Sequence, residues 1–250
     1  MSNMTISAAS AAGGDFRIGP VFSRAWDIGL RNADKFLVVT AIAGLPHLIA
    51  YLSAAPPLMA PGRILLVSLL TFIMRLLLGT ISQAVLLYGV FQDMRGRPVY
   101  LGEAIRRGLS RFFPILGVAI LTSLGIIFAS LLLVVPGVML AVRWAVALPV
   151  CVVEGAGPLA SLGRSAVLTR GHRWKVFAIL LLLVIVGPLM GAIVASVFRS
   201  HGGAPVGALA YFVWTAIWGV LYYGVLTMIY HDLRAAKEGV DVEQLAAVFD

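Results

Sequence analysis

The sequence has few charged residues, and this scarcity is the first guide to its class. Only 12% of the 250 residues are Asp, Glu, Lys or Arg, whereas 60% are hydrophobic. The mean hydropathy is +0.98. Because a soluble domain carries about 25% charged residues, these values exclude a soluble fold for the main body of the chain. Apolar runs of roughly 20 residues recur, and a helix of that length crosses the hydrocarbon core of a bilayer.

The sequence also lacks the residue patterns of common chemical sites. Its single cysteine, Cys151, lies in an apolar run, which excludes an internal disulfide and predicts a small core residue rather than a reactive thiol. The histidines at 47, 172, 201 and 231 have no carboxylate or cysteine at ligand spacing. We therefore expect no metal site, no cofactor and no enzymatic activity.

Six apolar segments predict an all-α polytopic membrane protein with six transmembrane helices, paired as three hairpins. The segments cover 36–54, 64–91, 112–135, 138–153, 174–198 and 206–230. Pro136 and Gly137 predict a tight turn between the third and fourth segments. Pro149 interrupts the fourth segment, for which a full crossing and a broken or re-entrant helix are the alternatives.

A basic amphipathic stretch precedes each predicted hairpin, at 20–33, 101–111 and 158–170. In each stretch the apolar residues recur with helical spacing on one face, which is typical of a helix lying in a membrane interface. We expect their basic and aromatic side chains, with those that follow directly, to contact lipid headgroups. These residues are Arg24, Trp26, Lys35, Arg106, Arg107, Arg111, Arg164, Arg170, Arg173 and Trp174.

The order of interfacial helix and hairpin occurs three times, which predicts an internal threefold repeat; convergence of similar interfacial helices is the alternative. The predicted parts are a disordered tail at 1–15, a membrane domain at 16–231 with units 16–92, 93–153 and 154–231, and a charged tail at 232–250. A short helix is predicted over 242–248 of that tail.

The distribution of basic residues predicts the membrane orientation. Most of the 19 Lys and Arg residues lie in the N-terminal arm, in the connections before the third and fifth apolar segments, and in the tail. Positively charged connections stay in the cytoplasm, so both termini are predicted to be cytoplasmic in a bacterial inner membrane. We then expect the net charge of +8 to attract anionic lipids. A nucleic-acid-binding protein would need a soluble basic domain, and the sequence predicts none.

Two arginines, Arg75 and Arg143, lie inside predicted membrane segments, where a charge is costly and is by default a functional hypothesis. No acidic residue is predicted at their depth. The alternatives are snorkelling to the interface, bonding to backbone carbonyls at kinks, or a bound anion such as a lipid phosphate. Trp214 and Trp218 form a stripe on the sixth segment that is predicted either to wall this lipid site or to pack between helices.

Two stretches resemble a known family. The stretch from Val135 to Trp174, with the pattern VPGVMLAVRW followed by GPLASLGRSAVLTRGHRW, and the tail motif YHDLRAAKEGVD from Tyr230 are similar to the bacterial glycerophosphoryl diester phosphodiesterase membrane domain family and its YciC-like relatives. The resemblance covers about residues 16–241. It implies a six-helix integral protein of the cytoplasmic membrane, without the catalytic domain to which some relatives are fused.

These observations favour a non-enzymatic membrane protein of envelope or lipid homeostasis that binds phospholipid or a membrane partner. The alternative is a transporter or channel for a small or lipid-like solute, because broken helices line substrate sites in transporters. A lipid-modifying enzyme is disfavoured, since its candidate residues form no recognisable constellation. Gly187 and Gly191 have the spacing of a close helix contact, within one chain or in a homo-oligomer.

Overall fold

The computed structural model describes residues 18–53 and 61–238, and within these ranges it is helical with no β-strand. The helices are α1 Ile18–Arg31, α2 Ala33–Ser53, α3 Pro61–Met94, α4 Leu101–Ser110, α5 Phe112–Leu132, α6 Val134–Arg143, α7 Ala147–Glu154, α8 Pro158–Leu168 and α9 Arg173–Glu238. The all-α prediction is confirmed. The predicted tail at 1–15 and the predicted helix at 242–248 lie outside the described residues.

Five described stretches are long and apolar enough to cross a membrane, which indicates a multi-pass membrane protein. They are Ala33–Ala50, Leu65–Met94, Phe112–Leu132, Val134–Glu154 and Arg173–Glu238. The last of them, α9, has 66 residues, which is about 99 Å if straight and far more than the roughly 30 Å hydrocarbon core.

Helix α9 consists of two antiparallel arms, 173–202 and 204–238. It bends at Gly203, whose φ of 77° and ψ of −175° are non-helical and accessible to glycine at no steric cost. Beyond the bend the chain returns, so that Gly191 of the first arm packs against Trp214 of the second. The predicted arrangement of six crossings requires the two arms to be counted separately, and it stays a prediction.

The turn between α5 and α6 is not where the sequence predicts it. Leu133 alone separates the two helices, with φ −160° and ψ 144°, and Pro136 and Gly137 lie in the first turn of α6. Proline is tolerated there because the first N–H groups of a helix have no intrahelical partner. Gly137 packs so closely on Ser130 of α5 that a Cβ has no space, which explains the glycine without a turn.

The fourth apolar segment is broken at residues 144–146, between α6 and α7. Pro149 in the first turn of α7 explains the break, since its ring clashes with the carbonyl four residues earlier and removes a donor. Two side chains at the C-terminal end of α8, Ser165 and the C-cap residue Thr169, bond to the freed backbone groups. The Val146 N–H donates to Ser165 Oγ at 3.2 Å, and Ser165 Oγ and Thr169 Oγ1 donate to the Arg143 carbonyl at 3.0 and 3.4 Å.

Each short amphipathic helix packs on a helix that ends a hairpin. Helix α4 contacts α3, α8 contacts α7 and the break before it, and α1 contacts the second arm of α9. These contacts include Gly108 with Ala84, Ser165 with Val146, and Ala25 with Gly224. Each contact joins a short helix of one predicted unit to the last helix of another unit. Because α1 of the first unit contacts α9 of the third, the three contacts connect the three units in a ring. A threefold repeat would produce this order, but the repetition itself stays a prediction.

The end of the bundle where α1, α4 and α8 meet the C-terminal ends of α3, α7 and α9 is called the basic end below. Most large, fully buried side chains lie near it: Phe36, Leu86, Leu168, Ile179, Ile229 and Tyr230. Towards the opposite end, apolar side chains such as Phe128 and Leu132 are 62% and 80% exposed. That outer surface is suited to acyl chains.

Replacing Ser165 by alanine should destabilise the fold, because it removes the partner of the buried Val146 N–H and one of the two side-chain donors to the Arg143 carbonyl. We expect a loss of about 1–3 kcal/mol in the free energy of unfolding, measured by denaturation in detergent. Ser110→Ala is the matched control, since the Ser110 hydroxyl is exposed and donates only to Arg107 O of its own helix. Equal stability of the two variants would contradict the bonding described for the break.

Candidate functional site

The ion pairs of the described residues are concentrated at the basic end, where some join α1 and α8 to neighbouring helices and others lie within one helix. They join Arg24 to Asp232 at 2.6 Å, Arg31 to Asp93 at 2.6 Å, Arg107 to Glu103 at 3.5 Å, Arg164 to Glu154 at 3.2 Å and Arg234 to Glu238 at 2.8 Å. The hydrogen bond and the charge of Asp93 raise the pKa of Arg31. Partly exposed pairs contribute little stability individually, but together they engage the carboxylates at this end.

Glu154 connects three elements of the basic end. Its carboxylate accepts a hydrogen bond from the Tyr230 hydroxyl at 2.9 Å and pairs with Arg164 of α8. Arg164 in turn pairs with Glu238 near the end of α9. The Glu154 side chain is only 22% exposed, so its position is explained by structure and no catalytic role is needed.

A cavity of about 730 Å³ lies between α2, α3 and the two arms of α9. Its wall mixes apolar groups with an unusual number of polar ones for a bundle this apolar. The polar lining residues are Thr40, Arg75, Ser82, Gln83, Ser196, Arg199, Tyr211, Thr215 and Tyr223. No Asp or Glu of the described residues is among the lining residues. Arg75 therefore brings a positive charge to the cavity that no carboxylate among the described lining residues balances.

Arg75 lies within the candidate span Leu65–Met94 and contributes its side chain to the cavity wall. No ion pair joins it to a carboxylate of the described residues. A charge held in a membrane segment costs at least about 2.5–3.5 kcal/mol at the centre on insertion scales. Snorkelling to the interface, bonding to a backbone carbonyl and a bound anion stay the three alternatives for this guanidinium.

The cavity is closed towards the basic end and open towards the Gly203 bend. At its closed end Thr40 and Ser82 are 9% and 5% exposed, and Gln83 Nε2 donates to the Tyr223 hydroxyl at 2.7 Å. Gln83 Oε1 is buried and has no hydrogen-bond partner within the described part of the chain. At the other end the lining residues Ser196 and Arg199 are exposed.

The structure separates the arginines and tryptophans that the sequence grouped into one candidate site. Arg143 does not line the cavity; its carbonyl is bonded to α8. Trp214 and Trp218 stack with ring centroids 5.8 Å apart, and Trp214 Nε1 donates to the Gly187 carbonyl at 2.8 Å. The tryptophans therefore cover Gly187 and Gly191 of the first arm, and this close helix contact lies within one chain.

A neighbouring stripe of the same helix lines the cavity and was missed by sequence reasoning. Tyr211, Thr215, Gly219 and Tyr223 recur every fourth residue, so they share one face of the second arm. Their spacing is visible in the sequence, as is that of Arg75, Gly79 and Gln83 on α3. Only the packing of α2, α3 and α9 shows that the two stripes face one space.

The predicted lipid-contacting residues divide into two groups. Some make contacts within the protein. Arg24 and Arg164 form ion pairs. Arg111 donates to the Gly155 carbonyl at 2.8 Å, and the Arg107 guanidinium lies 5.1 Å from the Tyr88 ring centroid. Others face outwards: Trp26 and Trp174 are 49% and 84% exposed, and Arg106, Arg170 and Arg173 are exposed. Lys35 is partly buried.

Comparison with known families adds one finding to this helical, multi-pass architecture. Residues 115–233 match a family described as a domain of unknown function, DUF7847. The match covers a little under half of the chain, from α5 into the second arm of α9, and it omits the α2 and α3 walls of the cavity. No curated protein and no solved structure matches the chain. The resemblance to the glycerophosphoryl diester phosphodiesterase membrane domain family stays a prediction.

An introduced thiol should report the access and the charge of the cavity. The native Cys151 is fully buried, so the wild-type chain serves as the blank. At Ala195→Cys we expect an anionic thiosulfonate reagent to react at least about fivefold faster than a cationic one, after correction for their rates with a free thiol, because roughly 1 kcal/mol of favourable potential gives that factor.

The matched control is Val213→Cys, whose side chain is 53% exposed on the outer surface and does not line the cavity. It should react slowly with both reagents, since acyl chains or detergent cover it. Equal rates for the two reagents at Ala195→Cys would contradict a positively charged, open cavity.

Proposed function

We propose that this protein is a non-enzymatic phospholipid-binding protein of a bacterial cytoplasmic membrane, with a role in envelope or lipid homeostasis. The observation that carries the proposal is the cavity that Arg75 lines, with no Asp or Glu among the lining residues of the described chain. The planar guanidinium of arginine matches the oxygens of a phosphate by paired hydrogen bonds. A membrane supplies phosphate-bearing amphiphiles at high local concentration.

The walls of the cavity fit an amphiphile better than a bare ion. Ala43, Gly44, Leu48 and Phe212 give apolar surface beside the polar stripe. Ligand sites of this size commonly combine apolar walls with a few convergent polar groups. The lining offers no cluster of His, Cys, Asp and Glu, and none that could hold a metal ion is found among the described residues, so binding is a better proposal than metal-assisted hydrolysis.

The exposed basic and aromatic residues support a cytoplasmic position for the basic end. Arg106, Arg170 and Arg173, with Trp26 and Trp174, stand where short helices would meet headgroups. Anionic lipids attract such arginines by about 1 kcal/mol each. Six crossings, with the two arms of α9 counted separately, would then put both termini in the cytoplasm. This topology is also what the resemblance to the glycerophosphoryl diester phosphodiesterase membrane domain family implies.

Reporter fusions test this topology. A cytoplasmically active reporter joined after residue 238 should be active, and one inserted at Gly203 should be inactive, because the bend would face the periplasm. A periplasmically active reporter should give the reverse pattern. Activity of the cytoplasmic reporter at Gly203 would reject the six-crossing orientation.

The alternative function is a transporter or channel for a small or lipid-like solute. The specific observation in its favour is a cavity that is open at one end and closed at the other by the Gln83–Tyr223 hydrogen bond, as expected of one state of an alternating-access protein. A second opening at the basic end would be needed for transport. Flux into proteoliposomes separates the two functions.

Native mass spectrometry in mild detergent tests the lipid site. Wild-type protein should retain anionic phospholipid, and Arg75→Ala should lose most of it because the cation of the cavity is removed. Arg143→Ala is the matched control, a second arginine of an apolar segment that does not line the cavity, and its lipid content should equal that of the wild type. Equal lipid in all three proteins would leave Arg75 as a snorkelling residue and reject the proposal.

A further inference from the structure

We propose that the cavity takes its phospholipid sideways from the leaflet at the Gly203 end, through a gap between α3 and the first arm of α9 above the tip of the α5–α6 hairpin. This inference rests on the proposed lipid-binding function and adds the source and the route of the lipid. It follows from the shortness of that hairpin and from the exposure of cavity residues beside it.

The long helices of the described chain contact one another in a ring. Helix α2 contacts α3, α3 contacts α5, α5 contacts α6, and α6 contacts α9. The second arm of α9 returns to α2, where Gly44 lies against Phe212. The cavity is walled by α2, α3 and both arms of α9, whereas the described helices α5 and α6 contribute no residue to its wall. The side of the ring that the hairpin occupies is therefore missing from the wall.

The hairpin ends well before the Gly203 bend. In the hydrophobic core that it shares with α9, Val142 is the hairpin residue farthest from the basic end, and Leu183 is the farthest residue of the first arm. From Val142, α6 leads back over nine residues to the turn at Leu133, which is about 14 Å at 1.5 Å per residue. From Leu183, twenty residues lead to Gly203, which is about 30 Å. The bend thus projects about 16 Å beyond the tip.

The surfaces beside the gap are exposed. On α3, every residue of 65–75 except Val67 and Thr71 is exposed, including the cavity residue Arg75. On the first arm, Ala192 also lines the cavity and is exposed. A neighbouring helix at this height would bury one face of each. The exposed cavity residues therefore mark an opening at the side of the cavity, within an apolar segment that is long enough to span a membrane.

Arg75 lies at the height of the hairpin tip. It is eight residues closer to the bend than Gln83, or about 12 Å, and Gln83 bonds to Tyr223 of the parallel second arm. The same step along the second arm ends beside Trp214, which packs on Gly191 of the first arm. The 14 Å from the shared core to the hairpin tip lead to the same turn of the first arm.

This height favours lipid from the leaflet at the Gly203 end. Residues 131–142 of the hairpin carry no polar side chain, and a bilayer thins beside an apolar element that is shorter than its neighbours. We expect the headgroups at this end to sink towards the tip, where a phosphate meets the Arg75 guanidinium while its acyl chains stay in the membrane. Towards the basic end the cavity is closed by the buried Thr40 and Ser82.

Photocrosslinking locates the lipid that the full-length protein retains in mild detergent with phosphatidylglycerol. The photoreactive residue p-benzoylphenylalanine replaces Leu132, which is 80% exposed at the tip. Illumination should join the lipid to this position, because the acyl chains of a lipid held at Arg75 cross the tip. Arg75→Ala should remove the product. The matched control position is Val213, which is 53% exposed on the outer surface, and it should give no more product than the Arg75→Ala background.

A variant that fills the gap tests the route separately. Ala192→Trp places a large side chain at the opening and should lower the retained phosphatidylglycerol at least about fivefold, which corresponds to roughly 1 kcal/mol, by native mass spectrometry. Val197→Trp is its control on the same arm. Val197 is 51% exposed and does not line the cavity, so this variant should retain as much lipid as the wild type.

The outcomes distinguish the route from the function on which it rests. Arg75-dependent lipid that gives no crosslink at Leu132, or whose retention is unchanged by Ala192→Trp, would overturn the lateral route and keep the lipid-binding function. Loss of any dependence on Arg75 would overturn both.

Discussion

The cavity depends on one electrostatic constraint: a guanidinium lies in an apolar segment, and no carboxylate of the described chain lines the space beside it. The carboxylates seen in ion pairs are all at the basic end, where Asp232 and Asp93 hold α1 against α9 and α3, and Glu154 holds α8 against α7. The same division of charge therefore places the paired carboxylates at one end of the bundle and leaves Arg75 without a carboxylate among the described lining residues. An Asp or Glu introduced into the cavity wall would pair with the Arg75 guanidinium, so the proposed phosphate would no longer be needed as its counter-charge.

The backbone obeys a related constraint. In an apolar environment every freed N–H and C=O group needs a partner, and the break before α7 is tolerated because Ser165 and Thr169 bond to it. The bend at Gly203 likewise allows the second arm of α9 to return beside the first. The two arms that this bend brings together form the cavity with α2 and α3.

Sequence reasoning reached the class of the protein and most helix positions, because apolar length and helical periodicity are local signals. The helices at 101–110 and 158–168 begin and end close to their predicted limits. Local signals failed at Pro136 and Gly137, whose turn-like pairing serves helix packing instead. For Trp214 and Trp218 they left two alternatives open, since the choice between cavity and helix contact depends on the face of α9 that α2 and α3 meet. The partners of Arg24 and Arg31, more than 60 residues away in the chain, have no local signature.

The most direct test of the central claim is an experimental structure of the protein in phosphatidylglycerol nanodiscs. The account predicts density for a headgroup in the cavity, with phosphate oxygens at hydrogen-bond distance from the Arg75 guanidinium. A water-filled cavity, with the Arg75 side chain extended out of it to the membrane interface, would contradict the account.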